Sequence, residues 1–298
     1  MSKKRWFVVL GLGIVLVTLF NLWQSAIEKN RQIPVGPFHI AGNLYYVGIT
    51  NVTAFLLTGP EGHVLIDGAY PESAPAIIES ISKLGYDISD VKVLLNSHAH
   101  ADHAGGLAAL KEASGAKLWI SQADAELVEA GGRGDASFGP LKMLQFTGLG
   151  TFPAVAVDHR FEDGDTIRVG PIELTANVTA GHTRGCTSWS FPVQDGDREL
   201  LSANICSLTL SPFVSLVEPE TYPGIRTDFE RSFEKLRSMP VDIFLASHTN
   251  WFKMQRKLLA RTDSTNPTDP FIDHEGYLSF IESAERQFNE VLTAQQDK

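Results

Sequence analysis

The sequence predicts a layered α/β protein, and two observations carry that prediction. Short, continuous apolar runs alternate along the chain with segments whose apolar residues recur at helical spacing. The composition, 298 residues with 43% hydrophobic and 20% charged residues, is ordinary for a globular protein with a sizeable core. At roughly 150 residues per domain, the length allows two domains or one large α/β domain.

Strands and helices alternate in the first half of the chain. We expect strands at His63–Gly68, Val91–Leu95 and Lys117–Ile120, and helices over Pro71–Asp87, Ala104–Ala113 and Asp124–Ala130. In the first of these helices, Ile77, Ile81 and Leu84 lie at helical spacing, and Gly85 is a plausible C-terminal stop.

The second half is richer in strands. We expect strands at Ile172–Val178, Thr187–Phe191, Glu199–Ala203 and Val241–Ala246, and helices at Asp228–Ser238 and Tyr277–Leu292. Two further stretches read as loops: Gly131–Thr151 is rich in glycine, and Ser211–Gly224 carries three prolines. Such loops either border a functional site or simply connect elements at the surface.

The N-terminus has the pattern of an export signal. Three basic residues precede an apolar run of 15 residues from Trp6 to Phe20, which is short for a membrane-spanning helix. Ser25-Ala26 is a possible cleavage site, although an uncleaved anchor would fit as well. We therefore divide the chain into a signal peptide or N-terminal anchor at residues 1–26 and a folded domain at residues 27–298. The folded domain is expected in an oxidising compartment, the periplasm.

Charge and cysteine content narrow the function. The chain has 25 Lys and Arg against 35 Asp and Glu, a net charge of -10, which disfavours binding to nucleic acid. Two cysteines are too few for a disulfide scaffold or a thiolate zinc finger. We expect a small-molecule partner, contact with the membrane only through the N-terminal segment, and a monomer.

Four metal-ligand side chains follow the Val91–Leu95 strand within six residues. They are His98, His100, Asp102 and His103. Residues two apart in an extended turn point the same way, so His98 and His100 can bind one ion together. Asp102 and His103 then open the next helix and can reach a second point nearby. Imidazole and carboxylate are preferred ligands of zinc, and partly protonated imidazoles would repel one another without a cation.

Two more histidines lie at strand ends, His182 after Ile172–Val178 and His248 after Val241–Ala246. Either alone would be a weak signal. With the first cluster present, the six residues make up two zinc sites of three ligands each, with open positions. The other four of the nine histidines lack this setting.

These segments together resemble the metallo-β-lactamase superfamily, and in particular the class B β-lactamases of subclass B3. The resemblance is carried by HAHADHAGG, AGHTRGCTSW and the late ASH, with support from PFHIAGNLYYVG, GHVLIDGAYPESAPAI and TYPGIRTDFERSF. It implies an α/β fold, a four-layer αββα sandwich with the metals at one edge of its two sheets. It also implies two Zn²⁺ ions per chain, the first held by His98, His100 and His182 and the second by Asp102, His103 and His248.

The resemblance also suggests roles for residues around the metals. Asp67 would orient a ligand, unless it only caps the next helix, and Ser207 and Thr209 would bind the substrate carboxylate. Cys206 would be either a thiolate ligand of the second zinc or the disulfide partner of Cys186. Because His103 already completes three ligands there, and because export favours oxidation, we expect the Cys186–Cys206 disulfide.

The implied function is a zinc-dependent β-lactamase that confers antibiotic resistance. A zinc-bound hydroxide would attack the lactam carbonyl, and Asp102 or water would deliver the proton to the leaving nitrogen. Lactone and thioester hydrolases resemble one another in a bridging Asp at the end of the strand after the GHT segment. Here that strand reads LSANIC and carries no carboxylate. The alternatives are another hydrolase of the same fold and a catalytically silent metal-binding module.

Overall fold

Two β-sheets form the centre of the protein. The computed structural model describes residues 35–297, so the expected signal or anchor segment, residues 1–26, lies outside the described residues. One sheet has seven strands in the order β1-β2-β3-β4-β5-β6-β7, and the other has five in the order β12-β11-β10-β9-β8. No helix in the described range is long and apolar enough to cross a membrane.

The bounds of the elements in this range are as follows. The strands are β1 Phe38–Ala41, β2 Leu44–Tyr46, β3 Phe55–Leu57, β4 His63–Ile66, β5 Val91–Leu95, β6 Lys117–Ser121, β7 His159–Phe161, β8 Thr166–Val169, β9 Ile172–Val178, β10 Thr187–Asp195, β11 Arg198–Ile205 and β12 Ile243–Ala246. The helices are α1 Ala74–Lys83, α2 Ala101–Ala104, α3 Leu107–Ser114, α4 Ala125–Glu129, α5 Ile225–Ser238, α6 Met254–Arg261 and α7 His274–Gln296, with 3₁₀ turns at Pro71–Ser73, Ile88–Asp90, Ala136–Thr147 and Asp269–Phe271.

Side-chain alternation along the strands builds the layers. In β4, Val64 and Ile66 join the core that includes the second sheet, whereas Leu65 joins the core that includes α1, α3 and α4. On the other side of the molecule, Phe244 of β12 contacts Tyr277 of α7. Each sheet is therefore covered by helices on its outer face, which confirms the expected αββα sandwich.

Parallel pairing brings the functional segments to one edge. β4 pairs in parallel with β5, and β5 with β6, so the connections that follow these strands leave from the same edge of the first sheet. β11 and β12 are likewise parallel in the second sheet. The connections after β4, β5, β9, β11 and β12 meet at this edge of the two sheets, which places their polar residues in one region.

Close backbone packing explains why one predicted helix is interrupted. The single helix expected at Ala104–Ala113 is two helices, α2 and α3, joined through Gly105 and Gly106. A Cβ atom on Gly106 would lie 2.2 Å from the carbonyl oxygen of Gly68. The glycine pair therefore lets this helical segment rest directly on the turn that follows β4.

Other elements were not anticipated from the sequence. Strands β1 to β3, between residues 38 and 57, are only three or four residues long, and β7 and β8 are equally short. The glycine-rich stretch expected as a loop contains the 3₁₀ turns of Ala136–Thr147, and α6 follows the segment after β12. Short strands and isolated turns carry too little periodicity for a pattern to reveal them.

Candidate metal centre

The six expected metal ligands converge at the shared edge of the sheets. His98 and His100 lie between β5 and α2, and Asp102 and His103 lie in the single turn of α2. His182 lies between β9 and β10. The ring centroids of His98 and His182 are 4.8 Å apart although the two residues are separated by more than 80 positions. The fold therefore brings these segments together, and the binding of a metal by their side chains stays a prediction.

Three histidines make up the first expected ligand set. The Nε2 atom of His182 lies 3.0 Å from the Nδ1 atom of His100. One nitrogen each of His98, His100 and His182 lie within 4.8 Å of one another. His98 is buried, whereas the other two are half-buried, so the set is open on one side.

His103, His248 and Asp102 make up the second expected ligand set. The two Nε2 atoms are 3.3 Å apart, and each lies 3.5 Å from Oδ2 of Asp102. Tetrahedral ligands at 2.0–2.1 Å from a zinc ion are about 3.3–3.4 Å from one another. The three atoms thus have the spacing of three corners of a zinc coordination tetrahedron.

Each histidine is held through its other ring nitrogen. The partners of these outer nitrogens are Ser97 Oγ for His98 Nδ1, Asp135 Oδ2 for His100 Nε2, Asp67 Oδ2 for His103 Nδ1, the Thr209 carbonyl for His182 Nδ1 and the Asn51 carbonyl for His248 Nδ1. Carbonyl and carboxylate oxygens only accept hydrogen bonds, so four of the histidines carry hydrogen on the outer nitrogen. When these rings are neutral, their inner nitrogens present lone pairs to the site. Facing lone pairs repel, and a bound cation removes the repulsion; the donor set fits a metal.

Burial keeps several of these imidazoles neutral. It lowers the pKa of His98 well below its ordinary value, and the neighbouring histidines lower it further. Burial also lowers the pKa of His182 to about 3 and that of His248 to about 4. A neutral imidazole is the form that binds a metal, so these three residues are ready to bind at neutral pH.

Carboxylates act in the opposite direction on the other two imidazoles. Burial lowers the pKa of His103, but the Asp102 and Asp67 carboxylates outweigh it and raise that pKa to about 10. Burial also lowers the pKa of His100, but the hydrogen bond and the charge of Asp135 outweigh burial and raise that pKa above its ordinary value. Burial would raise the pKa of Asp102, yet the adjacent His103 holds it far below its usual range. The site thus has the negative partners that a bound dication would attract.

Asp67 occupies the position next to a ligand that the resemblance implied. Its carboxylate accepts hydrogen bonds from the Asn96 side chain at 2.9 Å and from the backbone and hydroxyl of Ser97 at 2.6 and 2.8 Å. The same carboxylate lies 3.3 Å from Nδ1 of His103. Asp67 therefore joins the end of β4 to the ligand-bearing turn rather than capping a helix.

Two carboxylates near the ligands were missed in the sequence. Asp124, which follows β6, accepts hydrogen bonds from the Ala99 backbone, the Thr183 hydroxyl and the Gly185 backbone. It thereby ties the two histidine-bearing loops together. The strand-end position that singled out His182 also applies to Asp124, and could have found it. Asp135 lies in a glycine-rich connection and has no such signal.

The cysteines form a disulfide, and the two hydroxyl residues differ in exposure. Cys186 and Cys206 are joined, as expected, so neither offers a thiolate.

Ser207 is buried, and its hydroxyl pairs with that of Thr209 at 2.9 Å. Thr209 is exposed and accepts a hydrogen bond from His182 through its carbonyl. Of the two expected substrate contacts, Thr209 is the one with exposed surface, and both contacts stay predictions.

An apolar groove adjoins the ligands. A cavity of about 390 Å³ contacts His100 and Asp102. Its apolar wall is formed by Tyr70, Phe138, Leu141, Leu149 and Phe213. Phe138, Leu141 and Leu149 come from the glycine-rich stretch, and Phe213 comes from the proline-rich one. The volume suits a small organic molecule, and both stretches border the site.

The fold and this site define a metallo-hydrolase with a histidine-rich metal site at one edge of two sheets. Residues 47–197, half of the chain, match the family model of the metallo-β-lactamase superfamily. The chain belongs to this superfamily.

Solved metallo-β-lactamases, including one of subclass B3, are among its structural neighbours. FEZ-1 of Legionella gormanii is 36% identical with a TM-score of 0.84, and the match covers 90% of this chain and 99% of FEZ-1. BJP-1 of Bradyrhizobium japonicum is 34% identical with a TM-score of 0.81, covering 91% and 98% of the two chains. The similarity extends well beyond the ligand motif.

A curated relative has a different printed activity. A hydroxyacylglutathione hydrolase of Jannaschia sp. is 27% identical over 214 residues, which are 72% of this chain and 68% of the relative. A second such hydrolase, from Rhodopseudomonas palustris strain BisB5, is 28% identical, and the match covers 62% of its length. The superfamily membership alone therefore leaves more than one hydrolysis reaction to consider.

Proposed function

We propose that this protein is a zinc-dependent β-lactamase that hydrolyses the amide bond of β-lactam antibiotics and confers resistance to them. One observation carries the proposal. Both expected three-residue ligand sets are present beside an apolar groove, in a chain about a third identical to metallo-β-lactamases, one of them of subclass B3, along nearly their whole length.

The chain's own residues would divide the work. His98, His100 and His182 would hold one zinc, and Asp102, His103 and His248 the other. When bound, zinc supplies a Lewis acid and a hydroxide nucleophile at neutral pH. The hydrogen-bond partners at the outer nitrogens fix the orientation of each histidine ring. The ligands therefore need not change orientation during the reaction.

The groove and its polar rim would position the substrate. The apolar wall excludes water from the bicyclic or side-chain portion of a β-lactam. The Thr209 hydroxyl, and with lesser access that of Ser207, would bind the substrate carboxylate. Asp102 is 28% exposed and lies where the second ligand set meets the groove. We assign to it, directly or through water, the proton that the leaving nitrogen receives.

Thioester hydrolysis is the alternative that the hydroxyacylglutathione hydrolases favour. Two features speak against it. The ligand groups within the described range include no carboxylate from the end of β11. The residue that follows β11 is Cys206, whose sulfur is bonded to Cys186. The site therefore lacks an anion where thioester and lactone hydrolases of this fold are expected to bridge two cations.

Export to the periplasm belongs to the same proposal. A disulfide is stable in an oxidising compartment, and β-lactams act on the cell wall outside the cytoplasm. Residues 1–26 would serve as the signal or anchor, and the protein would act as a monomer.

Substrate comparison tests the proposal. Turnover of a penicillin, a cephalosporin and a carbapenem should be measured beside that of an acyl-glutathione thioester and an acyl lactone, with zinc content determined on the same sample. We expect two zinc ions per chain and a kcat/KM for at least one β-lactam well above those for the other two classes. Faster thioester or lactone turnover would overturn the assignment.

A further inference from the structure

Asp135 contacts a metal-ligand histidine from outside the site. Its Oδ2 atom lies 2.9 Å from Nε2 of His100, and the two side chains are only 7% and 17% exposed. The Ser137 backbone and hydroxyl each donate a hydrogen bond of 2.8 Å to the same carboxylate. The contact is therefore a fixed, largely buried pair rather than a surface encounter.

A carboxylate partner is uncommon among the five histidines of this site. Within the described part of the chain, only His100 and His103 have a carboxylate at the outer nitrogen. Asp67, the partner of His103, comes directly after β4 and is part of the sheet edge. Asp135 instead belongs to the long connection between α4 and β7. The orientation of His100 thus depends on a segment outside the sheets.

The same connection forms the wall of the groove. Phe138 and Leu141 follow Asp135 within six residues and line the cavity that His100 and Asp102 also contact. The Ser137 carbonyl accepts a hydrogen bond from the Ser211 hydroxyl at 3.0 Å, which ties in the second loop. A continuous set of hydrogen bonds therefore runs from the groove wall to the His100 ring.

We propose that Asp135 is a positioning residue that links the substrate groove to the first ligand set. By accepting a hydrogen bond from Nε2 of His100, it directs Nδ1 toward the metal and makes that nitrogen more basic. The affinity of the first site for zinc then depends on the loop that carries Asp135. This inference rests on the zinc sites of the proposed function, but not on the identity of the substrate.

Measuring the affinity for zinc tests whether Asp135 positions His100. Competition with a chromophoric chelator should give the affinity of both zinc equivalents for the wild type, Asp135→Ala, Asp135→Asn and Glu129→Gln. Glu129→Gln is the matched control, since it also removes a carboxylate, one that pairs with Arg160 at the surface. We expect Asp135→Ala to weaken one equivalent 10- to 100-fold, Asp135→Asn to weaken it less, and the control to match the wild type.

Hydrolysis at rising zinc concentration gives a second readout. Excess zinc should restore the kcat of Asp135→Ala toward the wild-type value. The variant has lost affinity for zinc, but it has not lost a group that reacts with the substrate. If Asp135→Ala does not fold, Asp135→Asn decides by the same criteria.

Three outcomes would overturn the inference. In the first, the Asp135 variants bind both zinc equivalents as tightly as the wild type does. In the second, the variants bind both zinc equivalents more weakly, and to the same degree. In the third, the variants have a raised KM for the substrate that added zinc does not lower. Failure of the wild type to bind zinc would overturn the proposed function as well. Hydrolysis of a thioester instead of a β-lactam would overturn the proposed function alone.

Discussion

At the scale of single residues, the site depends on which nitrogen of each imidazole carries the hydrogen. Oxygen acceptors at the outer nitrogens of His100, His103, His182 and His248 leave the inner lone pairs free for a cation. These partners come from four separate segments of the chain. Their placement, more than the histidines alone, makes the cluster a metal centre.

Removal of one expected ligand should sharply lower the rate of hydrolysis without unfolding the protein. His182 is half-buried and lies in a loop, so His182→Ala should keep the sheets intact and lower kcat/KM for a β-lactam at least about 100-fold. Kinetics and the thermal midpoint should be measured together. His159→Ala is the control, because His159 is exposed and stacks on Trp119 away from the ligands. Near-wild-type hydrolysis by His182→Ala would exclude it from the metal centre.

A single ion-pair cluster should make stability depend on pH. Burial raises the pKa of Asp158, but hydrogen bonds from Lys111 and from the Leu118 backbone outweigh it and lower that pKa to about 2. The unfolded value is about 3.9, so the ionised carboxylate stabilises the fold above about pH 4 and loses this effect as pH falls toward 2.

The corresponding variant isolates this contribution. Asp158→Asn should reduce the free energy of unfolding by about 1 kcal/mol at pH 7, measured by urea denaturation, and the difference from the wild type should shrink between pH 4 and pH 2. A difference that stays constant over that range would show that ionisation of Asp158 is not its cause.

At the scale of secondary-structure elements, parallel strands explain how distant residues meet. Strands β5 and β9 were predicted with their observed bounds, because buried apolar side chains recur along each of them, mostly in succession in β5 and at alternate positions in β9. The ligands after them could be placed by the rule that strand ends gather at one edge. Asp135 could not be placed near this edge from the sequence, because its position depends on the turns of Ala136–Thr147 and not on any periodic pattern.

The Cys186–Cys206 disulfide joins the segments that precede β10 and follow β11. The cysteines are 20 residues apart, and closing a loop of that length stabilises a fold by about 3 kcal/mol through the unfolded chain. The double variant Cys186→Ala/Cys206→Ala should lose about that much in urea denaturation. It should keep both zinc equivalents, because a disulfide supplies no thiolate. Loss of one zinc equivalent would instead identify a cysteine as a ligand.

At the scale of the whole molecule, the sandwich serves to bring two sheet edges together. Asp67, the ligand cluster and Asp124 leave the first sheet, whereas His182 and His248 leave the second. The αββα class could be predicted from the sequence because the motif resembles a known superfamily, and the six side chains expected as ligands do converge, while their binding of zinc stays a prediction. Which superfamily reaction the chain performs depends on loop shape and on residues that no short motif contains.

A zinc titration of hydrolysis tests the central claim most directly. The metal-free protein, prepared by chelation and dialysis, should be titrated with zinc while the hydrolysis of a cephalosporin is followed. We expect no activity without metal and a rise that saturates at two equivalents per chain. Full activity in the metal-free sample, or no hydrolysis at any zinc concentration, would contradict the account.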